Sequence, residues 1–212
     1  EALINPIYKF AQIPTNGYIS SVWNWHFRTI SRANSVIRNA NKAVSDEAVA
    51  NIYIAEARFL RANAYYDLVR LFGGVPLIDT EINSLTQSDL IYAPRASVEE
   101  TYNFIVEDMQ FAETHLPYKW TGDDLGRVSA GTDKAILGKV YLTMAGKPLN
   151  NTEYYQKAVD KLQEVYGGSN EGKYGFGLEE KFEDIFSLSN ERNQELVLSF
   201  GYFRTTASPN AN

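Results

Sequence analysis

Val22, His26, Ile30, Ala33, Ile37, Ala40 and Val44 recur at steps of three and four, a spacing that predicts a helix over 22–44. Ser45 with Asp46 and Glu47 supplies an N-cap and an acidic first turn to a second helix. That helix runs through Phe72 and stops at Gly73-Gly74, after which Val-Pro-Leu-Ile at 75–78 reads as extended chain. Ser97 and Glu100 form a capping box for a third helix, whose stripe is Val98, Tyr102, Ile105, Met109, Ala112 and Leu116 and which Pro117 ends. A fourth helix is predicted from about Thr132-Asp133 to Gly146, and a fifth over 152–165, before Gly167-Gly168. The pattern then changes: 174–177 reads as loop, 179–186 as a short helix, and ELVLSFGYF at 195–203 as a strand.

Helices in tandem invite a search for repeats. Leu137-Gly138 and Tyr141 in the fourth helix, then Tyr155, Ala158, Leu162 and Val165 in the fifth, follow a tetratricopeptide unit with extra residues between its halves. Ala62, Asn63 and Tyr66, then Tyr102, Ile105, Met109, Ala112 and Pro117, fit the same template around a far longer connection. The expected fold is therefore mainly α, built of tetratricopeptide-like helix hairpins at about 46–117 and 132–168, with irregular loops and a little β structure at the C-terminal end. Ala55, Ala62 and Ala64 are small enough to let neighbouring helices approach.

The chain has 212 residues, enough for one large domain with a full core. Its net charge of -6 argues against nucleic acid as a partner, since no concentrated basic segment is evident. The absence of cysteine removes disulfides, thiolate metal sites and a Cys nucleophile together. No apolar run is long enough to span a membrane, and Glu1 opens no signal peptide. The 14 Tyr, 11 Phe and 3 Trp are more aromatic surface than an average chain carries, and most of it should serve helix packing.

AEARFLRANAYYDLVRLFGGVPLI, residues 55–78, closely resembles the signature helix and turn of the SusD/RagB family, the surface glycan-binding lipoproteins of Bacteroidetes. RTISRANSVIRNANKA, PRASVEETYNFIVEDMQFAETHLP, GRVSAGTDKAILGKVYLTMAG, EGKYGFGLEEKFEDIF and NQELVLSF agree with the family in order and spacing. The resemblance implies a non-catalytic binder of oligosaccharides, or in some members peptides, without a cofactor. It also implies a SusC-like TonB-dependent transporter as partner, and an outer-membrane, cell-surface location held by a lipidated N-terminal Cys. Family members are usually more than twice as long, so 1–212 is expected to be the N-terminal helical domain of a longer protein.

Candidate chemistry is sparse. His26 and His115 lie far apart and outside any metal-binding frame, so no metal is expected, and His26 on its apolar stripe reads as a core or capping residue. Asp123-Asp124 reads as a turn, and no carboxylate pair suited to glycoside hydrolysis stands out. GGSNEGKYGFG lacks the ending of a phosphate loop. Arg58 and Arg61 are expected to anchor 75–78 or a neighbouring loop through backbone carbonyls, and Asp67 to pair with Arg70. The ligand-contact candidates are Tyr18, Trp23, Asn24 and Trp25, at the predicted junction of a loop with the first helix. Trp faces stack on the C–H faces of sugars and Asn bonds hydroxyls, but Trp23 and Trp25 also suit interhelix packing. Trp120 reads as a loop anchor. The competing function is a tetratricopeptide-like scaffold for a protein or peptide, with no glycan affinity in this part of the chain.

Overall fold

A computed structural model describes residues 5–11, 13, 15–84, 86–166 and 172–199. Its long helices are α1 (Gly17–Ala43), α2 (Glu47–Phe72), α3 (Val98–His115), α4 (Ala130–Ala145) and α5 (Glu153–Tyr166). Each packs on the next in chain order, α1 on α2, α2 on α3, α3 on α4 and α4 on α5. This is the nearest-neighbour arrangement of a helical repeat array. The core runs along α2, α3 and α4 through Phe59, Tyr65, Leu68, Ile105, Met109 and Leu137.

Side-chain caps set the helix starts. Asn16 accepts from the N–H groups of Tyr18 and Ile19, so α1 begins at Gly17, about a turn and a half before the predicted start. Asp46, rather than Ser45, caps α2. The capping box of α3 is present, with Ser97 and Glu100 satisfying each other's backbone N–H groups. Ser129 caps α4, which starts at Ala130. α2 ends where Gly73 adopts a φ of 72°, and a Cβ on Gly74 would stand 2.0 Å from the Ala96 carbonyl oxygen. In the second helix pair a Cβ on Gly138 would meet Leu162 at 2.7 Å. The Leu-Gly step of the repeat template therefore marks the close crossing of α4 and α5.

The 179–186 helix is present as a 3₁₀ turn, Phe182–Phe186. The strand expected over 195–203 is not formed where it is described. Residues 195–199 are irregular, with Leu196 N–H closing a turn on Asn193 and Val197 C=O accepting from the Thr132 hydroxyl. A strand needs a neighbour to pair with, and no strand exists among the described residues. Residues 200–203 lie outside the described residues, as does Gly167-Gly168 after α5.

The long connection inside the first hairpin is held by a buried polar cluster. Arg61 on α2, 4% exposed, donates two hydrogen bonds to Asp108 on α3, at 2.7 and 2.8 Å. It donates two more, to the Asn34 side chain on α1 at 2.6 Å and to the Asp79 carbonyl at 2.9 Å. Asn34 passes the connection on to the carbonyls of Ile78 and Thr80, at 2.9 and 3.0 Å. Ile78 N–H donates to the Tyr65 hydroxyl at 2.7 Å. Burial pushes the Tyr65 phenol up to about 12, so it remains a neutral partner at physiological pH. The expected anchoring role thus falls to Arg61 but not to Arg58, which lies 3.5 Å from Asp108 and over the Phe111 ring. Asp67 and Arg70 do pair, on the exposed side of α2.

Among the described residues the buried Arg58 Nε has no hydrogen-bond partner, and Asp133 is a larger exception to this satisfaction. It is buried near the start of α4, and neither carboxylate oxygen has a hydrogen-bond partner among the described residues. Burial drives its pKa well above the carboxylate range; Glu113 and Asp108 add to the shift, while Lys134 and Lys161 oppose it.

Candidate functional site

The early start of α1 changes the setting of the predicted ligand residues. Tyr18, left outside the helix predicted over 22–44, lies within α1 together with Trp23, Asn24 and Trp25, and none of the four stands at a loop junction. The Ser21 hydroxyl bonds back to the Gly17 carbonyl at 2.8 Å, within the first turn of the helix. At 3.6 residues per turn, positions two apart point to nearly opposite sides of a helix, so the two tryptophans separate.

Trp23 faces inward and is half-buried. Its ring centroid lies 4.7 Å from that of Phe27 and 5.1 Å from that of Phe72, the latter edge-on. The Arg95 guanidinium sits 5.6 Å above the indole and donates to the carbonyls of Phe72 and Gly74. Trp23 is therefore packing, wedged between α1 and the end of α2. Trp25 faces outward with 59% of its surface exposed. Tyr18, 40% exposed, lies seven residues earlier and so on the same face, and exposed Asn24 flanks it. The face continues past Trp25 to Arg28 and Arg32, both exposed. Neither arginine forms an ion pair or hydrogen bond among the described residues. Arg38, further along, is 3.0 Å from Glu81.

These arginines escaped the sequence reading, although a charge count by segment finds them. Glu1 is the only acidic residue before Asp46, against Lys9, Arg28, Arg32, Arg38 and Lys42. The chain is acidic overall, but α1 carries no acidic residue at all.

A concavity of about 390 Å³ lies between the 119–127 loop, the start of α4 and the 174–176 and 192–199 segments. Its aromatic groups are already engaged. Arg127 covers Trp120 at 4.0 Å and is held by Glu56 through two bonds of 2.8 Å. The Trp120 indole N–H donates to the Val128 carbonyl at 2.7 Å, which makes this residue a loop anchor. Tyr174 is buried edge-on against Tyr118. Of the histidines, half-buried His26 stands 4.0 Å from Asp67 and His115 stacks on Phe111 at 4.0 Å. Among the described residues no cluster of His, Asp or Glu is placed to hold a metal ion.

Residues 4–142 match the family model SusD-like_3, described as starch-binding associating with outer membrane. SusD-like protein P2 of Formosa agariphila is 33% identical over 183 residues, 86% of this chain and 34% of that protein. A laminarin-binding SusD-like protein of known structure is similar with a TM-score of 0.72 and 33% identity, over 84% of this chain and 36% of the other. Another structure, determined with a xylogluco-oligosaccharide, has a TM-score of 0.72 and 29% identity, over 89% of this chain and 36% of the other. The chain thus spans about a third of the length of these relatives.

Proposed function

The chain belongs to the SusD-like family, and from that premise we propose that it is the helical domain of a longer, non-catalytic protein that captures oligosaccharides at the cell surface. In this reading the whole protein is held at the outer membrane by a lipidated cysteine outside this sequence. It delivers its ligand to a SusC-like TonB-dependent transporter. The glycans named for two similar structures, laminarin and a xylogluco-oligosaccharide, support an oligosaccharide as ligand.

The observation that carries the reading is the outer face of α1. A large flat indole left 59% in solvent on a well-packed scaffold is available to stack on a sugar ring. Tyr18 extends the platform along the helix axis by ~10 Å, seven residues at the helical rise. Asn24 offers an amide to ring hydroxyls, and Trp23 supports the face from beneath.

Affinity electrophoresis of the full chain through gels containing laminarin, xyloglucan and other polysaccharides tests this. Retardation in at least one gel, lost in Trp25→Ala while the circular dichroism spectrum is kept, is the expected result. Failure of every polysaccharide to retard the chain would contradict glycan binding by this domain.

A second reading, a scaffold for a protein partner, is favoured by one feature. Tyr155, Val159, Leu162 and Tyr166 leave an apolar stripe of 41–54% exposed side chains along α5. The remaining two-thirds of a full-length relative, or the transporter, would supply such a partner.

A further inference from the structure

Resting on the glycan reading above, we infer that the outer face of α1 takes an acidic oligosaccharide, one bearing carboxylate or sulfate groups, rather than a neutral one. Trp25 stacks on a sugar ring, and the Arg28 and Arg32 guanidiniums pair with its anionic substituents.

Arg28 and Arg32 lie three and seven residues after Trp25, which places all three on one side of the helix. The span from Trp25 to Arg32 is ~10 Å along the axis, so one short oligosaccharide can touch the indole and both guanidiniums together. Among the described residues Arg38 pairs with Glu81, Arg58 and Arg61 with Asp108, Arg70 with Asp67 and Arg127 with Glu56, while Arg95 is held by the carbonyls of Phe72 and Gly74 and Arg192 pairs with no carboxylate. Arg28 and Arg32 have no such partner among the described residues, and α1 carries no acidic side chain to supply one. Their donor forks are free for an external anion, and a planar guanidinium binds carboxylate or sulfate oxygens through paired hydrogen bonds. The flat indole beside them selects an anion carried on a ring. A nucleic acid fits less well, because the rest of the chain is acidic and repels an extended phosphate backbone.

The experiment uses pairs of polymers that share a backbone and differ in charge: laminarin against sulfated laminarin, and methyl-esterified against de-esterified pectin. Affinities of the full chain, Trp25→Ala and the double variant Arg28→Gln/Arg32→Gln are measured at low and moderate salt, with circular dichroism as the control for folding. The expected result is at least tenfold tighter binding of the charged member of one pair. That preference is lost in the double variant, and binding itself is weakened in Trp25→Ala. Equal affinity for charged and neutral members, or a preference that survives the double variant, overturns the inference and leaves glycan capture standing. Charged binding indifferent to Trp25→Ala also overturns it, since that is ion exchange without ring recognition. If no glycan of either kind binds, the glycan reading itself falls.

Discussion

The two sides of α1 are made from similar residue types and have opposite fates. Inward, Trp23 is wedged against Phe27 and Phe72, and Asn34 joins Arg61 and Asp108 in a cluster whose hydrogen bonds are satisfied. Outward, Trp25, Arg28 and Arg32 have no such partners among the described residues. The inner set holds α1, α2, α3 and the long connection in one arrangement. The outer set contributes nothing evident to that arrangement and is free to meet something else. An aromatic or an arginine therefore carries no functional meaning by type alone; its meaning depends on whether the fold has already used it.

Substitutions should separate the two sides sharply. The largest effect is expected from Arg61→Ala, which leaves Asp108 buried without its bidentate partner and should cost about 3–5 kcal/mol in urea unfolding. Adding Asp108→Asn to that variant should recover part of the loss, since it removes the stranded charge. Gly74→Ala comes next: its Cβ would collide with the Ala96 carbonyl oxygen, and a loss of about 2 kcal/mol in the same assay is expected.

Asp133 should move in the other direction. Its folded pKa is raised, so its ionisation costs nothing below the unfolded carboxylate range. The cost grows as pH climbs above that range toward the raised folded value, and is constant beyond it. Asp133→Asn should therefore stabilise the protein at neutral pH by about 1–2 kcal/mol and flatten the decline of stability with rising pH. A variant with the same stability profile as the parent from acid to neutral pH would refute the assignment of a costly buried carboxyl. The smallest effect on stability belongs to the outer face. Arg28→Gln and Arg32→Gln should each shift the unfolding midpoint by no more than about 0.5 kcal/mol equivalent, while altering ligand binding.

The inner side was more legible in the sequence than the outer. The capping box at Ser97 and Glu100 and the helix stop at Gly73-Gly74 each depend on a few adjacent residues or a fixed spacing, and both are present. The anchoring of the connection by Arg61 was half-readable. A carbonyl partner lies 18 residues away at Asp79, but the decisive carboxylate is Asp108, 47 residues away, and only the packing of α2 on α3 brings it close. The strand at 195–203 was misread because β-rich composition says nothing about whether a pairing partner exists. The late predicted start of α1 misplaced only Tyr18, because the helix predicted over 22–44 already contains Trp23 and Trp25. Helical geometry alone assigns those two to opposite sides, a consequence of the predicted helix that treating 18–25 as one junction overlooks. Arg28 and Arg32 were hidden by a whole-chain net charge that averaged a basic first segment into an acidic remainder.

The central claim is that ligand meets the protein at the outer face of α1. Its most direct test is the indole region of a proton–nitrogen correlation spectrum, recorded while an oligosaccharide of whichever polysaccharide retards the chain is titrated in. The protein has 3 Trp residues, hence three indole N–H signals, assignable from single Trp→Phe variants. The account predicts that the Trp25 signal shifts progressively with ligand, while those of Trp23, beneath the helix, and Trp120, bonded to Val128, stay near their starting positions. A saturating shift of the Trp120 signal with Trp25 unmoved would place the ligand in the cleft beside α4 and contradict the claim.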